Sequence, residues 1–419
     1  MNTAISKKIN SKFYYGWVMI VMAALSLFFS APGQTYSIST FIESYIEDFE
    51  FSRTMIASFY MIATIISGTL LVFMGKAVDR FGQRNMTIIA GLMLAVTCFF
   101  NSMISNIFMV AIGFFFLRYF GQGSLTLIPG SLVPQWFEKK RALAISLTNL
   151  GGVFANMLVP VLNVWLIKTY SWQFAWKTWS MLLALLFVPI IFLLLVNKPE
   201  DIGLLPDNRK VEHHDDLKEE LYNMEKNSWM LNEAMKTKEF WFVGLISMIA
   251  PMISTGLMFH FFSIMKLKGI DETSASFVIG LVALPGFIMP IVSTLIIDRF
   301  RSKFIITGTL LLISINMMLL LAVNSTWTAA LFMLIYGLAI NIQGVTISVI
   351  WPRYFGRKYL GSIRGAATVF MVLGSALGPL PFGLSYDLTG SYQTVIVIMG
   401  LITLLSLGMS LSIRKPKKV

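Results

Sequence analysis

Residues 51–82, FSRTMIASFYMIATIISGTLLVFMGKAVDRFG, lie over residues 270–301, IDETSASFVIGLVALPGFIMPIVSTLIIDRFR, without a gap, and the overlay sets Asp79-Arg80-Phe81 on Asp298-Arg299-Phe300. The same offset carries Pro32 onto Pro251 and Pro160 onto Pro379. An offset one residue longer lays Thr169, Ser171 and Gln173 on Thr389, Ser391 and Gln393. Self-similarity of this kind fixes architecture before any local pattern does, so the chain reads as two copies of one unit. Parallel repeats in a chain this apolar point to a transporter built of two halves.

Hydrophobic residues fill 56% of the 419 positions and charged residues only 13%, too apolar a balance for one aqueous domain. Apolar runs near 20 residues recur along the chain, each long enough to cross about 30 Å of hydrocarbon. About twelve are expected, centred near Ala31, Ile65, Ala95, Gln122, Phe154, Ala184, Ser254, Pro285, Leu312, Ile340, Val372 and Ile402. Lipid leaves no partner for open backbone, so these runs are helices. The expected fold is an all-α membrane protein of twelve transmembrane helices in two pseudo-symmetric six-helix bundles. The expected boundaries are 1–196 for the N-terminal bundle, 197–239 for a cytoplasmic central loop and 240–419 for the C-terminal bundle.

A net charge of +12 would suggest nucleic acid in a soluble protein, but here the basic residues sort by membrane side. Lys7, Lys8, Lys12, Lys76, Arg80, Arg84, Lys139, Lys140 and Arg141 fall in the tail and alternate connections. The central loop, Arg299 to Lys303, Arg353 to Arg364 and the last residues continue the pattern. Arg53, Lys168, Lys177, Lys266 and Lys268 fall on the other side, which places both termini in the cytoplasm of a cell membrane. The N-terminus imitates a signal peptide, but the first span runs past Ala31 and Pro32 has its partner at Pro251, so it reads as a retained helix. Cys98 stands alone, which excludes a disulfide framework. His213-His214 in the polar loop reads as part of a solvated linker with one helical stretch from Asp215 to Met235.

After the second span, Gly75, Asp79, Arg80, Gly82 and Arg84 form a Gly-x-x-x-Asp-Arg-x-Gly-x-Arg pattern, echoed at Asp298, Arg299 and Lys303. The chain thereby resembles the major facilitator superfamily. Tyr14-Tyr15-Gly16-Trp17, Gly121-Gln122-Gly123 and Pro199-Glu200-Asp201-Ile202-Gly203-Leu204 resemble the branch holding monocarboxylate transporters and oxalate/formate antiporters. That resemblance implies a secondary active transporter for a small organic solute, monocarboxylates first, working by alternating access. It has no cofactor, uses protons as a candidate co-substrate, and functions as a monomer in the lipid bilayer.

Asp79, Arg80, Arg84, Asp298, Arg299 and Arg364 are the candidate gating residues. An Asp at the end of span 2 can accept from the positive N-terminus of span 11, and Asp298 can meet Lys139 to Arg141 by pseudo-symmetry. The alternative is that these charges only obey the positive-inside rule.

Arg118 lies near the middle of span 4, where an unpaired Arg costs about 2.5–3.5 kcal/mol. Either an anionic substrate or a set of backbone carbonyls compensates it. The resemblance leads to an Arg-x-x-Gln-Gly pattern here, whereas Arg118 precedes Gln122-Gly123 by one residue more. Gln34, Tyr36, Gln122, Asn149, His260, Tyr336 and Asn341 join Arg118 as candidate substrate-binding residues, with Asn156 and Gln343 at similar depth. Each alone also fits an ordinary interhelical hydrogen bond. Pro32-Gly33 and Pro251 are expected to bend spans 1 and 7.

No Asp or Glu lies within a span core, so a carboxylate proton relay has no evident member; His260 or the substrate acid itself remains as proton carrier. Spans 8 and 11 lack the cations that the resemblance associates with dicarboxylates, with Met289 near the place expected in span 8. The 14% aromatic content and 26 Met leave efflux of hydrophobic or cationic solutes as the alternative. No nucleophile and base pair, metal cluster or phosphate loop supports an enzyme or an ATP-driven pump.

Overall fold

A computed structural model of the chain describes residues 13–137, 141–202, 204, 229–288, 292, 299–355 and 360–416, and no strand occurs among them. Eleven helices there are long and apolar enough to cross a membrane. They are span 1 (Gly16–Phe49), span 2 (Arg53–Gly75), span 3 (Gln83–Asn101), span 4 (Ile107–Val133), span 5 (Leu143–Thr169) and span 6 (Trp172–Leu194). Span 7 (Lys238–Phe259), span 9 (Ser302–Ala322), span 10 (Thr326–Phe355), span 11 (Ala366–Thr389) and span 12 (Gln393–Ser412) follow. A shorter apolar helix, Glu272–Ile288, occupies the place of span 8. The protein is a multi-pass membrane protein.

Short connections work because the helix starts are capped locally. Ser52, Asn106, Ser171 and Thr237 each precede a helix and accept the backbone N–H three residues on, satisfying one otherwise open donor.

The chain divides into two compact units. The first holds spans 1–6 together with Phe261–Ser263 and Asp271–Gly280. In it, the opening helix of span 1 packs on spans 4 and 5, span 2 on span 4, span 3 on span 6, and the helix Glu272–Gly280 on span 5. Tyr14, Tyr15 and Trp17 close an aromatic cluster with Trp136 and Phe137, and the Tyr15 hydroxyl donates to the Leu194 carbonyl at 2.8 Å. A buried polar tie joins spans 1, 5 and 6: Asn163 donates to Ser37 and Thr40 while its carbonyl oxygen accepts from the Trp179 indole at 2.7 Å. Such fully paired networks fix helix register in a medium that offers no water.

The second unit holds spans 7 and 9–12 with residues 264–270 and the stretch from Leu281. Span 7 packs on span 11 and span 9 on spans 10 and 12. Gly374 and Gly378 let the backbones of spans 7 and 11 approach: a Cβ at Gly378 would stand 2.2 Å from the Met252 carbonyl oxygen.

The two proline positions behave differently. Span 1 does break, into Gly16–Phe29, the 3-10 turn Ala31–Gly33 and Thr35–Phe49. Span 7 does not break at Pro251: its helix runs from Lys238 to Phe259, and the interruption falls at His260. Most of the helical stretch expected from Asp215 to Met235 lies outside the described residues, of which Leu231–Ala234 is helical.

Candidate functional site

The break in span 1 faces an irregularity in span 4. Leu117–Ser124 forms a π turn between two α-helical segments, and the Ser124 hydroxyl donates to the Tyr119 carbonyl five residues back. The extra residue between Arg118 and Gln122 lies inside this π turn. Gly33 and Gly121 make the crossing possible. A Cβ on Gly33 would lie 2.1 Å from the Leu117 carbonyl oxygen, and one on Gly121 would lie 2.8 Å from Gly33 Cα.

Arg118 lies beside this crossing and is 1% exposed. Its Nη1 reaches the Gly33 carbonyl and the Thr35 hydroxyl, both at 3.4 Å, and its Cζ lies 5.0 Å from the Tyr60 ring centroid. Thr35 and Tyr60 share a 2.7 Å hydrogen bond of their own. Nε has no partner, and among the described residues no carboxylate pairs with the guanidinium. Contacts of 3.4 Å are at the weak end for hydrogen bonds. A desolvated cation–π contact is worth about 2 kcal/mol, so the charge is held but not neutralised.

Of the other candidates in the first unit, Gln34 is half-buried and donates to Ser30 Oγ at 3.0 Å. Tyr36 and Gln122 are half-buried, and Asn149 is exposed on span 5. Gln122 is carried by the same π turn as Arg118. Tyr60 and Thr35, which hold the Arg118 head, were not singled out from sequence, because a Tyr and a Thr in apolar helices carry no signal by themselves.

In the second unit His260 is buried at the end of span 7. Its Nε2 lies 3.0 Å from the Pro379 carbonyl, its Nδ1 lies 3.4 Å from the Tyr392 hydroxyl, and its ring stacks on Phe382. A carbonyl partner fixes the tautomer with the proton on Nε2. Asn341 donates to the Gly337 carbonyl of its own helix at 2.7 Å. Tyr336 is fully buried, and its hydroxyl has no hydrogen-bond partner among the described residues.

Beside these, spans 7, 10 and 11 border a partly open cavity of about 400 Å³, lined by Pro251, Ser254, Gln343, Ile347, Trp351 and Met371 among others. Gln343 is 1% and Trp351 2% exposed, and among the described residues both amide atoms of Gln343 and the indole N–H of Trp351 have no partner.

The gating candidates are placed unevenly. Asp298 and the side chains of Asp79 and Arg364 lie outside the described residues, as does Met289. Arg80 is exposed with its guanidinium 5.2 Å from the Phe81 ring centroid, and Arg299 is exposed. Arg84 ties the start of span 3 to the end of span 6: its amide donates to Asn197 Oδ1 and its Nη2 to the Phe192 carbonyl, both at 2.7 Å.

Around the start of Glu272–Gly280, Asp271 accepts from the Ser274 amide at 3.0 Å, and hydrogen bonds from Ser274 hold its carboxyl below the ordinary carboxylate range. Lys168 pairs with Glu272 at 3.4 Å and donates to Thr273. Lys268 donates to the Leu321 and Val323 carbonyls, capping span 9, and burial lowers its pKa. Among the described residues no group of His, Cys, Asp and Glu could hold a metal ion.

The sequence model of the Major Facilitator Superfamily matches residues 23–379. Monocarboxylate transporter 14 of Homo sapiens is 27% identical over 162 residues, which is 38% of this chain and 31% of that protein's length. Monocarboxylate transporter 2 of Homo sapiens is 22% identical over 402 residues, 93% of this chain and 83% of that one. A bacterial homologue of the human lysosomal transporter Spinster superposes with a TM-score of 0.70 at 12% identity, over 95% of this chain and 96% of that one. The nucleoside transporter NupG superposes with a TM-score of 0.72 at 12% identity, over 95% and 100%. At that identity the two structures share the fold.

Proposed function

We propose, for a chain that belongs to the Major Facilitator Superfamily and so transports small solutes, that the cargo is an organic anion with a single carboxylate, a monocarboxylate first. The observation that carries this is Arg118, a buried guanidinium in span 4 with an idle Nε and no described carboxylate beside it. Leaving a charge so placed is expensive unless something anionic meets it. It is also the one Lys or Arg buried among the described side chains, which favours one anionic group on the cargo over two. The named relatives that carry monocarboxylates support the same class.

Gln34, Tyr36, Gln122, Asn149, His260, Tyr336 and Asn341 remain proposed lining residues, the first three by their closeness in sequence to the Gly33–Gly121 crossing. The two halves, 1–196 and 240–419, would rock as a monomer in the cell membrane with both termini cytoplasmic. Asp79 and Asp298, with Arg80, Arg84, Arg299 and Arg364, would bias the equilibrium between the two states. With no carboxylate in a span core, a coupled proton would travel on the substrate acid. Efflux of a hydrophobic solute is the second candidate, favoured by the cavity beside Pro251, whose lining carries no charge.

Uptake by reconstituted vesicles separates these. Labelled monocarboxylates, dicarboxylates and hydrophobic cations are compared with and without a pH gradient. Saturable uptake confined to monocarboxylates is expected; transport of the cations alone would replace the anion by the second candidate.

A further inference from the structure

Span 10 turns one face, Ile340, Gln343, Gly344, Ile347 and Trp351, toward the cavity in the second unit. These positions follow the spacing of a helix stripe. Such a stripe in a purely structural helix is apolar or paired. Here Gln343 presents a carbonyl and an NH₂ that no described residue satisfies, although the residue is 1% exposed. Natural proteins pair nearly all buried polar groups, and an exception calls for an explanation. Ser247, Ser254 and Thr368 add hydroxyls to a lining otherwise made of Ala, Pro, Ile, Gly, Trp and Met, and no charged residue contributes among those described. A space of about 400 Å³ with a mostly apolar wall and a few polar groups has the size and make-up of a small-molecule site.

We infer that this cavity binds an uncharged head group with a carbonyl and an adjacent donor, an amide or a protonated carboxylic acid, on an apolar body, and that Gln343 pairs with it. A primary amide side chain offers one acceptor and two donors, so it closes a two-bond ring with such a group. A carboxylate could not take the Gln343 carbonyl as partner, and it would enter a pocket with no cation. The apolar body lies against Ile340, Ile347 and Met371. The Trp351 N–H, two turns along span 10 and without a partner among the described residues, can serve a second acceptor. From the preceding section this takes only that the chain binds a solute, and it deepens that proposal by assigning the neutral form of the acid to this unit.

The test is equilibrium binding of tritiated phenylacetamide to the full-length purified protein. Saturable binding is expected, with Gln343→Leu weakening it about tenfold, the factor for loss of a paired hydrogen bond. Gly344→Leu guards against misfolding of the first variant, because a Cβ there meets nothing within 4 Å and the side chain can fill the cavity; it should abolish binding. Phenylacetic acid should displace the label below its own pKa and much less as the anion at neutral pH, whereas unlabelled phenylacetamide displaces equally at both. Absence of saturable binding, wild-type affinity in both variants, or equal displacement by the anion would each overturn the assignment. Binding without any monocarboxylate uptake would leave this site standing and remove the anion proposal; uptake without binding would do the reverse.

Discussion

Arg118 is the residue on which most depends. Removing its side chain leaves Thr35 and Tyr60 still hydrogen-bonded to each other, and it takes away a buried charge without a carboxylate partner. Arg118→Ala is therefore expected to fold as well as wild type, judged by melting temperature, while affinity for a transported monocarboxylate falls about tenfold or more, the scale of a charged hydrogen bond. Asp271 makes a separate prediction. As the cap of Glu272–Gly280 it stabilises by about 1 kcal/mol. Its carboxyl titrates below the ordinary range, so that contribution is complete above the unfolded carboxylate pKa and is lost as pH falls through the lower folded value. Thermal melts of Asp271→Ala and wild type should differ at neutral pH and converge in acid; a constant difference would mean that the charge plays no part. Arg118 was visible in the sequence because a charge in an apolar run is rare. Gln343 was visible only as one polar side chain among several, and Trp351 not at all, since an unpaired hydrogen-bonding group exists only once neighbours are known.

At the scale of elements, the crossing of spans 1 and 4 rests on two residues without side chains. Gly33→Val would drive a branched side chain into the Leu117 carbonyl and the Gln122 amide, which are backbone and cannot swing aside. A loss of about 1–3 kcal/mol or more is expected from such overpacking, read as a lower melting temperature and reduced monodisperse yield in detergent; a wild-type melt would show that the crossing can open. Span positions were legible because length and apolarity are local: every expected centre falls inside a span, Ala31 at the break of span 1 and Pro285 in the shorter Glu272–Ile288. Breaks were less so. Pro32 falls in a break and Pro251 inside a continuous helix, because the proline's missing N–H does not by itself decide whether a helix ends. The π turn was written in the sequence as one surplus residue before Gln122, a sign that marks an irregularity but not its kind.

For the molecule as a whole, the repeated Asp-Arg-Phe and the proline pairs announced a duplicated membrane protein, and the superfamily match over residues 23–379 agrees. What the repeat could not convey is how residues of the second copy distribute: Asp271–Gly280, sequence kin of the start of span 2, packs with the first unit through span 5. Substrate class is hidden for a related reason. It is set by a few unpaired groups on several helices, not by the apolar pattern that sets the fold. Solute counterflow addresses the central claim most directly. Vesicles holding the protein are loaded with an unlabelled short-chain monocarboxylate and diluted into the labelled acid. Wild type should accumulate label transiently and Arg118→Ala, equally folded, should not; undiminished counterflow in the variant would contradict the account.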